Sequence, residues 1–231
     1  MLYLIPTPIG LGKGEFPAEN VDVIKSLKYF IVEDIRTARR FISSLKVGID
    51  IDSLSFSLLN EHTKAQELND IVKPLLEGQN VGLMSEAGLP CVADPGRLVV
   101  NIANANNIEV VPLVGPCSIM LALMASGASG QCFKFNGYIS VKPAERLMKM
   151  RNMEIEAYKN DCAEIFIETP YRNNAVFLSL IQCLKPVTML TIAENLLTPE
   201  QKIQTKSISQ WQLSKYVVGK NPAVFIISAP I

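Results

Sequence analysis

Val81-Gly82-Leu83-Met84 is an uninterrupted apolar run, and Ser85-Glu86-Ala87-Gly88-Leu89-Pro90-Cys91-Val92-Ala93-Asp94-Pro95-Gly96 follows it. A helical stretch over 96–105 comes next, then a second apolar run over 108–113. Short apolar runs bounded by glycine and proline read as buried strands, and the longer stretch between them as a helix. Strand, loop, helix and strand in that order is the unit from which a parallel sheet with covered faces is built.

The unit recurs towards the N-terminus. Residues 2–6, 29–33 and 53–57 predict strands, and 17–28, 35–45 and 61–76 predict helices. Pro17 suits a first helical turn, and Ala65, Leu68, Val72, Leu75 and Leu76 keep helical spacing. One more helix is expected over 117–124. Past Ala125-Ser126-Gly127-Ala128-Ser129-Gly130, a small-residue stretch that reads as a linker, the pattern changes. Strands are expected over 132–139, 164–168, 188–193, 202–206 and 223–228, with helices over 143–159, 173–183 and 208–216. Their closer spacing predicts a mixed, partly antiparallel sheet. The expected architecture is α/β, with a parallel-sheet N-terminal domain over 1–126 and a mixed-sheet C-terminal domain over 127–231.

The chain has 231 residues, 48% hydrophobic and 19% charged, which suits a packed core rather than disorder. No apolar stretch reaches the ~18–20 residues of a membrane helix. The opening Met-Leu-Tyr-Leu-Ile carries no basic region and no cleavage site, so a cytoplasmic protein is expected. The five cysteines, at 91, 117, 132, 162 and 183, are widely spaced and suggest neither a disulfide framework nor a zinc site. His62 is the only histidine, which argues against most zinc and Ser-His-Asp chemistry. With 22 basic and 22 acidic residues the net charge is zero, so nothing global points to nucleic acid. Basic residues do cluster at Arg36, Arg39 and Arg40 and at Lys142, Arg146, Lys149 and Arg151. The second cluster lies on a predicted helix, where a solvated face is the plainer reading.

Three loops of the first half fall at strand ends, where open α/β sheets bind ligands. Pro6-Thr7-Pro8-Ile9-Gly10-Leu11-Gly12-Lys13-Gly14 follows the first strand, and its glycines allow close backbone approach, although a bare surface turn would look the same. Glu33-Asp34 ends the second strand about twenty residues on, where an acid can accept ribose hydroxyls. The spacing G-x-G-x-G departs from the dinucleotide pattern. In the 81–96 segment Ser85 and Glu86 bring polar side chains, Ala87 and Gly88 leave room for a flat ring, and Asp94 suits a cap on the next helix. Pro112-Leu113-Val114-Gly115-Pro116-Cys117-Ser118 sets Cys117 and Ser118 at a helix N-terminus, whose amides can hold polar ligand atoms. A nucleophilic Cys117 lacks a base nearby in sequence. In the second half Glu168, Arg172 and Glu194 also follow apolar strands, either as site residues or as partners of one another.

Together these segments resemble the tetrapyrrole methylase superfamily of S-adenosylmethionine (SAM)-dependent methyltransferases, and within it the bacterial enzymes that methylate the 2′-hydroxyl of a 16S ribosomal RNA cytidine. The resemblance rests on Leu2–Gly10, Glu33-Asp34-x-Arg36, Ser85-x-Ala87-Gly88-x-Pro90 with Asp94-Pro95-Gly96, Pro112-x-x-Gly115-Pro116 and Glu168-x-Pro170-x-Arg172. It implies SAM folded into a cleft between two α/β domains, and a homodimer. By position the cofactor would be held by Pro8, Ile9, Gly10, Ser85, Glu86, Ala87, Leu89, Cys117, Ser118, Thr169 and Ala193. The sequence departs from the family pattern at Leu11, Lys13 and Gly14 in the first loop, and at Ile35, Thr37, Ala38, Glu86, Leu89 and Tyr171.

The implied function is SAM-dependent methylation of ribosomal RNA, on the free RNA or in the small ribosomal subunit. Glu33, Asp34 and Glu61 are candidates to receive the acceptor's proton, and Arg36 to hold a phosphate, unless Glu33 and Asp34 merely pair with Arg36, Arg39 or Arg40. No metal is expected. The alternatives are methylation of a small molecule such as a tetrapyrrole, a nicotinamide-dependent oxidoreductase, and a non-catalytic protein that keeps the cofactor fold.

Overall fold

Tyr29-Phe30-Ile31-Val32 sends alternate side chains to opposite faces of a sheet, as a strand buried on both sides must. Tyr29 and Ile31 join one core cluster, Phe30 and Val32 another. A computed structural model of the chain describes residues 1–10 and 16–230, with the side chain of Ala65 also outside the description. Gly12 and Gly14 of the first loop therefore lie outside the described residues, as do the departures at Leu11 and Lys13.

The chain forms two units, Met1–Cys117 and Ser118–Ile231. The first runs β1 (Leu2–Ile5), α1 (Ala18–Ser26), β2 (Tyr29–Val32), α2 (Ile35–Ser44), β3 (Ser55–Leu58), α3 (Ala65–Leu76), β4 (Val81–Met84), α4 (Arg97–Ala105) and β5 (Val110–Pro112). Its five strands are ordered β3-β2-β4-β1-β5, and every pairing is parallel. Ile24 and Leu27 at α1 and Ala38 and Ile42 of α2 pack with Ile5, Phe30 and Met84 on one face. Val72 and Leu75 of α3 and Val99 and Ala103 of α4 pack with Leu2, Ile31 and Leu83 on the other. The chain thus leaves β1 over one face and leaves the adjacent β4 over the opposite face. That reversal is a topological switch point, and the crevice at the carboxyl ends of β1 and β4 is where such sheets bind ligands.

The second unit runs α5 (Ser118–Ser126), β6 (Phe133–Tyr138), α6 (Pro143–Asn160), β7 (Ala163–Ile167), α7 (Asn173–Cys183), β8 (Met189–Glu194), β9 (Lys202–Ser207), α8 (Ile208–Leu213) and β10 (Ala223–Ser228). Its sheet is ordered β6-β7-β10-β8-β9. Only β6 and β7 pair in parallel, and the other three ladders are antiparallel, the mixed sheet that the spacing predicts. The helix expected at the end of the first half, α5, packs on β7, β8, β9 and β10. The units therefore divide ahead of the small-residue stretch 125–130. An apolar helix that buries Ile119, Ala122 and Leu123 goes where it finds a sheet face to cover.

The opposite face carries Phe166, Phe225, Ile227, Leu190 and Ile192, covered by α6, α7 and α8. Trp211 of α8 is fully buried there, edge-on to Phe177, and its Nε1 donates to the Leu190 carbonyl at 2.9 Å. A buried indole needs that acceptor. Trp211→Phe keeps much of the volume and loses the bond, and is expected to cost about 1–2 kcal/mol, read as a lower Tm. Among the described residues, no helix is long and apolar enough to cross a membrane.

Candidate functional site

The segments that the sequence singles out in the first unit all emerge at the carboxyl edge of its sheet, since all five strands run the same way. Main-chain hydrogen bonds stitch them together. Thr7 donates its amide to the Gly88 carbonyl at 2.9 Å and accepts from the Gly88 amide at 3.0 Å, joining the loops after β1 and β4. The Ser85 hydroxyl donates to the Gly88 carbonyl at 3.1 Å, and the Thr7 hydroxyl donates to the Ser85 carbonyl at 3.3 Å. Gly88 has φ +81°, and a Cβ there would meet Ile9 Cγ2 at 3.2 Å, so both conformation and space favour glycine. Cys91 (φ 69°) and Ala93 (φ 60°) further along the same loop also sit in the left-handed region, which non-glycine residues adopt rarely and mostly at sites that need it.

The loop after β5 packs against the start of the first loop. A Cβ on Gly115 would fall 2.3 Å from both Cβ and Cγ of Pro6, and the buried Asn20 of α1 donates to the Val114 carbonyl at 2.8 Å. Neither contact is visible from local sequence, because each joins distant positions. Pro8, Ile9 and Gly10 are half-buried, Ser85 is buried, Glu86 and Ala87 are exposed, and Leu89 is half-buried. Cys117 ends the first unit and Ser118 opens α5, both half-buried at that helix N-terminus.

Glu33, just past β2, is half-buried and accepts the Glu86 amide at 3.1 Å. Burial, followed by the nearby Asp94 and Glu86 charges against the opposing pull of that amide, pushes its carboxyl up to about 7. Asp94 faces it. One Asp94 oxygen accepts the Gly96 amide at 2.7 Å in the turn ahead of α4; Gly96 itself is the N-cap and no side chain caps that helix, so the capping role expected of Asp94 does not form. The other, Oδ2, is buried with no hydrogen-bond partner among the described residues. The sequence offers Asp94 as a cap alone, and its place as the neighbour of Glu33 depends on a contact between positions far apart in the chain.

The pairing of Glu33 or Asp34 with nearby arginines is not what forms. Asp34 caps α2 by accepting the Thr37 amide at 2.6 Å, which lowers its carboxyl, and Arg39 pairs with Asp52 at 2.5 Å. Arg36 is exposed in the first turn of α2. Glu61, on the turn after β3, stands in solvent beside His62 at 3.5 Å. The edge therefore unites Glu33, Ser85, Gly88 and Asp94 closely, while Arg36 and Glu61 flank it. Burial pushes the Cys91 thiol up to about 11, so it stays protonated and is a poor nucleophile.

In the second unit, β7 leads into Glu168 and Thr169. The buried Glu168 accepts the Thr169 amide at 2.7 Å and its hydroxyl at 3.2 Å, and pairs with Arg172 at 3.1 Å. Arg172 in turn donates to the Ile139 and Ser140 carbonyls at 3.4 and 3.1 Å. Glu194, at the end of β8 beside the buried Ala193, takes no part in this pairing. It accepts the Tyr216 hydroxyl, and the Gly219 amide at 3.2 Å. Among the described residues no group of three or more His, Cys, Asp and Glu could hold a metal ion.

Residues 1–211 match the family described as Tetrapyrrole (Corrin/Porphyrin) Methylases. The chain is 34% identical over 172 residues to the ribosomal RNA small subunit methyltransferase I of Vibrio cholerae, covering 74% of this chain and 56% of that protein. It is 33% identical over 173 residues to the protein of that name from Bacillus subtilis, covering 74% of this chain and 56% of that one. For the Synechocystis protein the figures are 31% over 196 residues, 85% and 67%. The matched part thus spans little more than half the length of the first two of these relatives. In a crystal structure, the methyltransferase CobJ superposes with a TM-score of 0.66 at 16% identity, covering 99% of this chain and 93% of that one, which is a likeness of fold. By the family match over 1–211 and relatives about a third identical, this chain belongs to the family of Tetrapyrrole (Corrin/Porphyrin) Methylases.

Proposed function

We propose that this chain transfers a methyl group from SAM to a ribose 2′-hydroxyl of small-subunit ribosomal RNA. The small-subunit RNA follows the names of its relatives, and the 2′-hydroxyl follows the family resemblance of the sequence. The observation that carries the reading is Glu33, a half-buried carboxyl tuned towards neutrality at the ligand-binding edge of the sheet.

The residues present fit the cofactor. Gly88 lies where a Cβ would crowd Ile9, so only glycine lets the loop after β4 close on the first loop, and beside it Ala87 is small and exposed, which leaves its backbone open to a ligand. In the first unit Pro8, Ile9, Gly10, Ser85, Glu86, Ala87, Leu89 and Cys117 would hold SAM. Bound SAM supplies a methyl already activated on a sulfonium, so the protein's work is alignment and proton removal. Glu33 as carboxylate receives the hydroxyl proton. The acid so formed donates to Asp94 Oδ2, the buried acceptor that otherwise lacks a donor. A base tuned close to the working pH combines availability with driving force. Arg36 holds a neighbouring phosphate, with Glu61 beyond it.

Calorimetric titration with SAM and with its demethylated product tests the cofactor half. Binding of both, and no heat with NADH, is the expected result. A response to NADH alone would replace this reading with the oxidoreductase. Label transferred from tritiated SAM to a tetrapyrrole but not to RNA would move the acceptor to small molecules. The protein is further proposed to be a cytoplasmic homodimer, as the family resemblance implies. A monomer by light scattering would contradict the second half of that statement.

A further inference from the structure

The basic cluster on α6 remains outside the site described so far. Lys142 stands at the N-cap of α6, and Arg146 and Lys149 follow at helical spacing, so the three share one side of its first turns. Lys142 and Lys149 are exposed and Arg146 is half-buried. Arg146 Nε is buried with no hydrogen-bond partner among the described residues, so this guanidinium has donors still to satisfy. The acid in this stretch is tied down locally. Glu145 accepts from the Ser140 hydroxyl at 2.8 Å and from Lys142 at 2.9 Å.

The adjoining strand ends are rigid. The Glu168–Arg172 pair is largely buried, and Arg172 reaches the Ile139 and Ser140 carbonyls, which locks the turn after β7 to the turn after β6. From these fixed turns and the first turns of α6, large apolar side chains stand in solvent: Tyr171 is 72% exposed, Val141 66% and Met148 62%. Cations beside an exposed ring are what a single-stranded RNA needs, since phosphates pair with the charges and a base stacks on the ring. In a chain with zero net charge such a surface has to be local.

We infer that the turns after β6 and β7, with Arg146 and Lys149 on the first turns of α6 and the exposed Tyr171 ring, form the docking surface for the RNA. The inference rests on the RNA reading above and specifies where that RNA is held. Arg146 and Lys149 neutralise backbone phosphates, and Tyr171 stacks on an unpaired base. The surface acts by binding and takes no part in the chemistry.

The test is filter binding of deproteinised small-subunit RNA to the full chain across a salt series. Arg146→Glu with Lys149→Glu is expected to weaken binding at least tenfold at low salt. Each lost phosphate contact should also lower the slope of log K against log salt by about one. Lys159→Glu, the same charge change near the other end of α6, is expected to leave both unchanged. Tyr171→Ala is expected to weaken binding several-fold with the slope unchanged. SAM affinity should match wild type in all of these variants, which shows that they fold. Wild-type RNA affinity in the doubly reversed variant would overturn the surface, and so would an equal loss in Lys159→Glu, which would make the effect one of overall charge. If the doubly reversed variant lost binding to anionic lipid vesicles or to an acidic protein while RNA binding stayed intact, the partner would be wrong. Absence of RNA binding by the wild type would overturn the RNA reading itself, an outcome distinct from unequal or equal binding among the variants.

Discussion

Glu33→Gln is expected to remove nearly all methyl transfer while making the protein more stable above neutral pH. The glutamine carbonyl can still accept the Glu86 amide, and its amide nitrogen can donate to Asp94 Oδ2, so the variant imitates the protonated acid. It cannot receive a proton. Loss of a positioned general base lowers kcat by about 10²–10⁴-fold. The stability effect follows from linkage. The carboxyl's ordinary value is 4.5 and burial lifts it to about 7 in the folded protein, so between those values the folded chain holds a proton that the unfolded chain has released. The stability due to the neutral acid is present in full below 4.5 and is lost as pH rises through about 7. Wild type and variant should therefore melt together near pH 4.5, and the variant should melt higher at pH 8. In the wild type kcat should rise with pH through about 7 and level off. An active Glu33→Gln, or a variant less stable at pH 8, would remove Glu33 from the role of base.

Gly115→Ala is expected to loosen the binding edge without touching any residue that would meet a ligand. The new Cβ would fall 2.3 Å from two carbons of Pro6, which belong to a ring that cannot rotate away. Overpacking of this kind costs about 1–3 kcal/mol, and the rigidity of the ring puts this case at the upper end. Relief requires the Val114–Pro116 turn or the Pro6–Gly10 segment to shift. Asn20 holds the first, and the paired Thr7 and Gly88 amides hold the second. A drop in Tm together with at least tenfold weaker SAM binding is expected by thermal melting and calorimetry. Full SAM affinity would mean that the Pro6–Gly10 loop does not hold the cofactor.

The sheets were legible in the sequence because period and punctuation are local. Tyr29–Val32 and Val81–Met84 are apolar throughout, as strands covered on both faces must be, and their flanking turns carry glycine, proline or aspartate. The edge where the loops gather followed from parallel order alone. The unit boundary did not, because the small residues of 125–130 look like a linker whichever sheet α5 covers, and only packing decides that. The site was legible as segments and not as contacts. Ser85, Gly88 and Glu33 could each be picked out, but the Thr7–Gly88 bridge, the Pro6–Gly115 contact and Asp94 beside Glu33 join positions far apart in the chain. Residue types also left the acids at 33, 34 and 61 equivalent. Burial and hydrogen bonding separate them: Glu33 is driven up, Asp34 is held down by the α2 amides it caps, and Glu61 stands in solvent.

SAM-dependent methylation of small-subunit RNA with Glu33 as base is open to one decisive measurement: tritiated methyl transfer to purified small ribosomal subunits and to their deproteinised RNA, with wild type and Glu33→Gln side by side. Label in RNA is expected with wild type, at a rate that rises through about pH 7, and label at least a hundredfold slower with Glu33→Gln although SAM still binds. No label in RNA from a wild-type protein that binds SAM, or equal label from the two proteins, would contradict it.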